Sequence, residues 1–315
     1  MNAQIADLKP LRKKSTLWTH MKQYYWLYIF LLPGLINLFV FQYLPMGGMV
    51  IAFQDFRATK GYLGSPWVGL QNFRDLFASI SFLRVLKNSI ITSVLQLVCS
   101  FPAPILLALM LNEMRAQVYK RTLQTILYLP HFISWVVVAS MLTGLLGTSS
   151  GSLINELIVR TGGTKLEFLT DPKYFRTVLI GSSIWKGSGW GTVVYLAALA
   201  GIDPALYEAA IMDGANRLQR IFHITFPCIL STVSIMLILK LGNLMSNGFE
   251  QIWLLQNDLN KSVAEVLETY SYQVGLREGR LSYSAAVGMF QSVVSFILIF
   301  SSNFFSKKVG GDGLW

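Results

Sequence analysis

A series of polar residues interrupts one of the most apolar stretches of the chain. Lys240, Asn243, Asn247 and Glu250 are separated by 3, 4 and 3 positions, a spacing that places side chains on one face of a helix. An ionised group at the centre of a bilayer costs at least about 2.5 kcal/mol, so this face should border water or protein. Amides and charges in such a place can bind sugar hydroxyls or a carboxylate, and these residues are therefore candidates for lining a translocation pathway. Alternatively, Lys240 extends to the membrane surface or pairs with another protein.

A second group combines aromatic rings with a cation. Trp185, Lys186 and Trp190 lie in another apolar stretch, where the rings could stack on sugars while the ammonium binds an oxygen. The alternative is that both tryptophans are packing or interfacial residues. The same segment, WKGSGWG at 185–191, contains G-x-G, but no strand precedes it, so a dinucleotide site is not expected. Its glycines favour helix packing or local unwinding.

Residues for catalysis or metal binding do not form a pattern. No nucleophile–base pair, paired carboxylate or metal-ligand cluster falls at one depth of the predicted helices. The phosphate-binding motif G-x-x-x-x-G-K-[ST] does not occur, since the Lys-Ser pairs at 14–15 and 261–262 lack its glycines. The sequence therefore predicts no catalytic, cofactor-binding or metal-binding residue in this chain.

The composition predicts an all-α membrane protein. Of the 315 residues, 53% are hydrophobic and 13% are charged, whereas soluble domains have about 25% charged residues. A bilayer-spanning helix needs about 20 mostly apolar residues. Six segments meet that requirement, and we expect six transmembrane helices, at Tyr25–Ile51, Asn88–Asn112, Leu123–Gly147, Thr177–Ala200, Cys228–Gly248 and Ala285–Ser306.

The distribution of charge predicts the orientation. The segment before the first span holds five basic residues against the single acid Asp7, and the positive-inside rule keeps such a segment in the cytoplasm. An even number of spans places both termini there. We expect a cytoplasmic tail at 1–24, one membrane domain at 25–306 and a second cytoplasmic tail at 307–315. The net charge of +10 lies at membrane flanks, which favours lipid headgroups over nucleic acid.

Residues 203–227 form a polar interruption between two apolar spans. Asp203 is a good N-cap, Pro204 suits the first helical position, and Gly214 can end the helix in a left-handed conformation. Asn216 can cap a second short helix that lasts until Pro227, where the fifth span is expected to begin. On these physical grounds alone, an ordinary loop with two short helices is equally supported.

These residues also carry a family resemblance. The segment resembles the EAA signature of permease subunits in binding-protein-dependent ABC importers, with Phe226 standing where that pattern usually has Leu. In that family the loop is a coupling helix that docks on a separate ATPase subunit. The resemblance assigns the coupling role to Glu208, Ala209, Ala210, Asp213, Gly214, Ala215, Arg217 and Pro227.

The resemblance covers nearly the whole chain and narrows to carbohydrate permeases of the maltose and polysaccharide type. It rests on LLPGLI at 31–36, SPWVGLQNF at 65–73, IWKGSGW at 184–190, YLAALAGIDPALYEAAIMDGA at 195–215, GFEQIW at 248–253, TYSYQVGL at 269–276 and the C-terminal GLW. It implies the type I importer fold in a bacterial cytoplasmic membrane. It also implies a second, homologous permease, two ATPase subunits that bind ATP and Mg, and an extracytoplasmic solute-binding protein.

The expected cargo is an oligosaccharide or polysaccharide. The lysines at mid-membrane suggest an acidic sugar such as a uronate oligomer, but the sequence supports a neutral saccharide equally. Residues 250–253 are expected at the outer mouth, where they would meet the binding protein, form a gate or anchor a loop. An ion-coupled sugar carrier is the main alternative, although it would usually need carboxylates inside the membrane. A membrane-embedded enzyme is the least supported class.

Overall fold

A computed structural model describes residues 22–114, 116–149 and 151–308, and these are helical apart from short connections and one bridge between Gln54 and Trp67. Most of the two predicted tails, residues 1–21 and 309–315, therefore lies outside the described residues. The α-helices are, in chain order, α1 (Tyr25–Leu38), α2 (Leu44–Met46), α3 (Gly61–Gly64), α4 (Gln71–Ala78), α5 (Ile80–Leu95), α6 (Pro102–Asn112), α7 (Gln117–Tyr128), α8 (Trp135–Leu146), α9 (Leu153–Arg160), α10 (Pro172–Ala200), α11 (Pro204–Met212), α12 (Arg217–Arg220), α13 (Phe226–Gly242), α14 (Phe249–Leu255), α15 (Lys261–Ala264), α16 (Leu267–Tyr272) and α17 (Leu281–Lys308).

Four helical runs within the described residues are long and apolar enough to cross a bilayer. They are Tyr25–Phe53, Ile80–Asn112, Arg217–Gly242 and Leu281–Lys308, of 29, 33, 26 and 28 residues. Two further pairs of helices are long and apolar enough only when the two helices are taken together. In the first pair, α7 with its short extension meets α8 at an angle of 100°; in the second, α10 meets α11 at 73°. The number of spans reaches the predicted six if each bent pair crosses the membrane once.

Three of the long runs contain a π-helical turn at the same distance from a proline. Phe39–Tyr43 precedes Pro45, Gln96–Ser100 precedes Pro102, and Ile221–Thr225 precedes Pro227, each by two positions. Proline has no amide hydrogen and its ring collides with the carbonyl one turn earlier. A π turn widens the helix at that place, so the run continues through the proline without a break.

The third predicted span is bent rather than straight. α7 extends through a 3₁₀ turn, Leu129–Phe132, and α8 begins at Trp135. The 12 residues of α8 rise only about 18 Å at 1.5 Å each, which is less than the roughly 30 Å of a bilayer core. α8 therefore needs its bent partner to cross the membrane. Pro130 lies at the bend, and a proline there removes one helical hydrogen bond.

The chain divides into two compact units, Met1–Val50 and Ile51–Trp315. In the described part of the first unit, α1 is apolar along its whole length and contains Pro33. The second unit holds the apolar core in three clusters. One joins α4, α5, α16 and α17; a second joins the start of α10 to α14 and α15; and a third joins α6 to the end of α10 and the start of α13.

Candidate functional site

The second unit contains a cavity of about 420 Å³ that brings polar residues from several helices together. α13 and the segment after it form one wall, and the second, third and fourth predicted spans form the others. The lining residues are Gln96, Ser100, Phe101, Pro104, Trp135, Ser183, Gly187, Ser188, Lys240, Ser246, Asn247, Gly248 and Gln251. Two of the predicted pathway residues, Lys240 and Asn247, thus share one cavity.

Lys240 is the only charged residue in this lining. It lies in the last turn of α13 and is half-buried. Among the described residues, no carboxylate lies within 4.0 Å of its ammonium group, and that group forms no hydrogen bond. A cation in this setting attracts a ligand that supplies a negative charge or several oxygen atoms.

The prediction that Lys240, Asn243, Asn247 and Glu250 occupy one helix face is wrong. α13 ends at Gly242 with Asn243 as its C-cap, and α14 begins only at Phe249, after Gly248 with a φ of 88°. The fifth span accordingly ends six residues before the predicted Gly248. The residues between the two helices form a non-helical segment, 243–248, which we call the helix break.

Side chains from other helices satisfy the carbonyl groups that the helix break frees. Ser93 donates to the carbonyl of Leu244, Gln291 donates to that of Met245 at 2.8 Å, and Gln96 donates to that of Asn247 at 3.0 Å. In lipid an unpaired carbonyl costs several kcal/mol, so irregular backbone persists only where such donors are available. These donors come from positions 46 to 151 residues away, which is why local sequence spacing did not reveal the break.

Asn247 lies at the centre of this network. Its side chain is 1% exposed, and Nδ2 donates to Ser93 Oγ at 2.8 Å and to the carbonyl of Ser89 at 3.3 Å. Its Oδ1 is buried without a hydrogen-bond partner, and so is Oγ of Ser100, another lining residue. Each is an open acceptor beside the cavity, and a hydroxyl-rich ligand could satisfy both.

The remaining members of the predicted series lie outside the cavity. Asn243 is exposed, and its Nδ2 donates to the carbonyl of Leu239 at 3.1 Å. Glu250 is exposed in the first turn of α14, where its charge suits the helix N-terminus. Their proposed role in the pathway therefore remains a prediction that this cavity does not support.

The structure does not bring Trp185, Lys186 and Trp190 into the cavity lining either. Lys186 Nζ donates to the carbonyl of His131 at 2.7 Å, next to the bend between α7 and α8. Trp190 stacks on the His131 ring with centroids 4.8 Å apart. Both residues thus stabilise the bend between α7 and α8.

Three further lining residues, two on α10 and one on α14, were not predicted from the sequence. Gly187 and Ser188 lie between Lys186 and Trp190, and Gln251 follows Glu250. Gln251 is 3% exposed and held by α10, since its Nε2 donates to the carbonyl of Leu179 at 2.8 Å and to Ser182 Oγ at 2.9 Å. No spacing rule marks such residues, because each reaches the cavity through tertiary packing.

Two glycines of WKGSGWG permit close helix packing, as the sequence predicted. A methyl group on Gly189 would overlap the carbonyl oxygen of Leu127, and one on Gly191 would lie 2.9 Å from Pro104 Cβ. α10 therefore approaches α7 through Gly189 and α6 through Gly191.

At the other end of α10, the predicted polar interruption consists of two short helices joined by a turn. We call this segment the elbow (residues 203–227). Asp203 accepts a hydrogen bond from the amide of Ala205, and α11 starts at Pro204. Gly214 has a φ of 79°, with hydrogen bonds from its amide to Ile211 and from the Ala215 amide to Ala210. This is the Schellman arrangement, so the predicted N-cap and glycine stop are both confirmed.

The second half of the elbow is continuous with the fifth span. Asn216 and Gln219 form a reciprocal capping box at the start of α12, which confirms the predicted cap. The expectation that the span begins only at Pro227 is wrong, because the π turn Ile221–Thr225 carries the helix through that proline to Gly242. The second half of the elbow and the fifth span therefore form one continuous helix.

The elbow presents an open surface. No residue of α11 or α12 is buried; Glu208, Asp213 and Arg217 are exposed and form no ion pair with another described residue. Met212 is 87% exposed. A bond of 3.1 Å between Tyr207 Oη and Thr225 Oγ1 holds the two halves together. An exposed apolar side chain beside unpaired charges forms a surface suited to a partner protein.

Residues 100–311 match the protein family described as binding-protein-dependent transport system inner membrane component. The chain belongs to this family. It is a permease subunit of an ABC importer, in which a separate subunit hydrolyses ATP. The alternatives of an ion-coupled carrier and a membrane enzyme are thereby set aside.

Relatives and a solved structure match this chain over nearly its full length. LplB and the polygalacturonan/rhamnogalacturonan transport system permease protein YteP, both of Bacillus subtilis (strain 168), are each 48% identical to the chain, covering 94% and 96% of it and 92% and 94% of their own lengths. A crystal structure of a bacterial ABC transporter that imports the acidic polysaccharide alginate superposes with a TM-score of 0.86 at 41% identity, over 93% of this chain and 99% of that one. The predicted type I importer fold is confirmed.

Proposed function

We propose that this permease subunit imports an oligosaccharide or polysaccharide that carries carboxylate groups. The observation that carries the proposal is Lys240, an unpaired cation in a cavity otherwise lined by neutral side chains. A uronate ring would supply the missing charge, and its hydroxyls would bond to the open acceptors on Asn247 and Ser100.

The relatives support this cargo class. One 48% identical permease is named for polygalacturonan and rhamnogalacturonan transport, and a 41% identical chain belongs to an importer of alginate, which is described as acidic. Another structure of an alginate ABC transporter, 40% identical with a TM-score of 0.87, contains a periplasmic protein bound to an alginate pentasaccharide. By analogy, the cargo reaches this chain from a solute-binding protein.

The proposed assembly has a second permease and two ATPase subunits. A single chain of this size would enclose little of a saccharide, so a homologous permease would close the cavity from the other side. The elbow would dock on one ATPase through α11, with the chain's two ends in the cytoplasm. ATP binding would draw the ATPase subunits together, and the continuous helix from Arg217 to Gly242 would convert that motion into rocking of the span.

The rocking would reach the cavity directly. Lys240 lies in the last turn of this helix, and the helix break that lines the cavity follows immediately. The second half of the elbow and the cargo site are therefore the two ends of one continuous helix. Access would alternate as that element tilts, and the donors on Ser93, Gln96 and Gln291 would hold the break together during the motion.

Uptake by the complete transporter in proteoliposomes tests the cargo. Initial rates would be measured for galacturonate oligomers and for neutral galactose oligomers of the same length. We expect the wild type to prefer the acidic series, and Lys240→Gln to lower acidic uptake about tenfold, the loss typical of one charge-assisted contact. Lys173→Gln, an exposed lysine outside the cavity, is the matched control. A preference for neutral oligomers, or unchanged acidic uptake by Lys240→Gln, would contradict the proposal.

A further inference from the structure

We infer that the chain has a second carboxylate-binding subsite, for one uronate ring, at the end of the membrane domain opposite the elbow. The inference rests on the proposed acidic cargo. The subsite is a pocket of about 180 Å³, which has room for one sugar ring and which we call the far pocket. Its lining residues are Trp253, Gln256, Asn257, Asp258, Lys261, Gln273 and Arg277.

Helix direction fixes the position of the far pocket. The run Arg217–Gly242 starts at the elbow and ends at the cavity, and α14, α15 and α16 follow it. α14 and α15 pack on the start of α10, through Phe175 and Leu179, whereas the end of α10 leads into the elbow. The far pocket therefore lies at the end of the membrane domain from which cargo would enter.

An aromatic wall and a cation define the chemistry of the far pocket. Trp253 stacks on Phe249 and meets Tyr272 edge-on, with centroids 5.7 and 4.9 Å away. The guanidinium of Arg277 lies 4.9 Å from the centre of the Trp253 ring. This stacking leaves the N–H groups at the guanidinium edge free to bind a carboxylate with two parallel hydrogen bonds.

Arg277 is also the cation of the far pocket that is free to bind a carboxylate. It forms no ion pair with any described residue, whereas Lys261 donates to Gln273 at 3.2 Å and lies 3.6 Å from the buried carboxylate of Glu265. Asp258 is exposed and unpaired. Glu265 is shared with Arg84, which lies 2.9 Å from it, so three cations (Arg277, Lys261 and Arg84) face two acids (Asp258 and Glu265) in and beside the pocket.

A buried orphan acceptor points to a ligand hydroxyl. Oε1 of Gln256 is buried and has no hydrogen-bond partner among the described residues. Buried acceptors of this kind normally have a partner. A sugar hydroxyl on the ring whose carboxylate binds Arg277 would supply it.

The test uses the complete transporter in proteoliposomes and tetragalacturonate as cargo. We expect Arg277→Gln to raise the KM for uptake about tenfold, the cost of one charge-assisted contact, with the maximal rate within about twofold of the wild type. Arg277→Lys, which keeps the charge but loses the planar fork, should give an intermediate KM. Lys173→Gln removes a cation 5.4 Å from the Tyr174 ring elsewhere and is the matched control.

A second measurement separates the sources of the carboxylate. The affinity of the cargo-free binding protein for the transporter would be measured with wild type and Arg277→Gln. An unchanged affinity supports a cargo uronate, whereas a tenfold loss would assign the far pocket to an acidic side chain of the binding protein and overturn the inference. Normal KM in Arg277→Gln, with robust uronate uptake, would overturn the subsite alone; absence of uronate uptake by the wild type would overturn the proposed function.

Discussion

The ammonium group of Lys186 donates a 2.7 Å hydrogen bond to the carbonyl of His131, 55 residues earlier in the chain. This bond joins α10 to the 3₁₀ turn at the 100° bend between α7 and α8. A cation at the C-terminal end of a helical turn satisfies a free carbonyl and suits the helix dipole. Lys186 therefore stabilises a bend in the membrane domain, and its ammonium group already has a hydrogen-bond partner.

Lys186→Met should weaken the fold more than it weakens cargo binding. Removing the donor leaves the His131 carbonyl unpaired, at a cost of about 1–3 kcal/mol. The measurement is thermal unfolding of the purified transporter, with Lys186→Arg as the control that keeps a donor. A variant of normal stability that has lost cargo affinity would return Lys186 to the pathway.

Gly189→Ala should destabilise the membrane domain by about 1–3 kcal/mol, the usual cost of overpacking. The added methyl group would overlap the Leu127 carbonyl oxygen, so α7 and α10 must separate. Gly181→Ala, on the same helix with nothing within 4 Å, should be neutral or slightly stabilising. The two melting temperatures provide the comparison, and equal values would show that the helices do not approach through Gly189.

Gln291→Leu should loosen the helix break, because the carbonyl of Met245 loses its donor. We expect faster amide hydrogen exchange across residues 243–248 and a stability loss of about 1–3 kcal/mol. Ser295→Ala, one turn further along α17, is the control. Exchange that stays at the wild-type rate would mean that Gln291 does not hold the break.

Tyr270 should contribute stability that disappears in strong alkali. Burial and the 3.2 Å hydrogen bond with Tyr283 raise the pKa of Tyr270 to about 12. Because the folded state holds the phenolic proton more tightly, the contribution is complete below the unfolded pKa near 10 and is lost as pH rises towards 12. We expect a loss of about 1–2 kcal/mol across this window, reduced by solvent screening.

Chemical denaturation at pH 9 and pH 12 measures this effect. Tyr270→Phe should be less stable than the wild type at pH 9, and the difference should shrink at pH 12. A constant difference between the two proteins would show that the phenol does not titrate as described.

The elbow was predictable because its signals are local. Asp203, Gly214 and Asn216 each act on backbone groups within three or so residues, and the structure confirms each one. The approximate positions of the apolar spans were predictable for the same reason, since length and composition suffice.

The cavity was predictable only in part because its shape depends on distant partners. Lys240 and Asn247 stood out as polar residues in an apolar stretch, yet the break between them exists because Ser93, Gln96 and Gln291 supply donors from other helices. Helical periodicity assumes an unbroken helix and so misplaced Asn243 and Glu250.

If the elbow transmits ATP-driven motion to the cargo pathway, ATP-dependent uptake should depend on the left-handed turn at Gly214, and Gly214→Pro measures that dependence. Proline cannot adopt the φ of 79° found at this position, so the variant should insert and assemble but misorient α11. Gly201→Ala, where φ is −86°, is the control at the start of the elbow. We expect wild-type uptake that requires ATP and a loss of at least about tenfold in Gly214→Pro. Undiminished ATP-dependent uptake by the variant, or equal uptake by the wild type without nucleotide, would contradict this expectation.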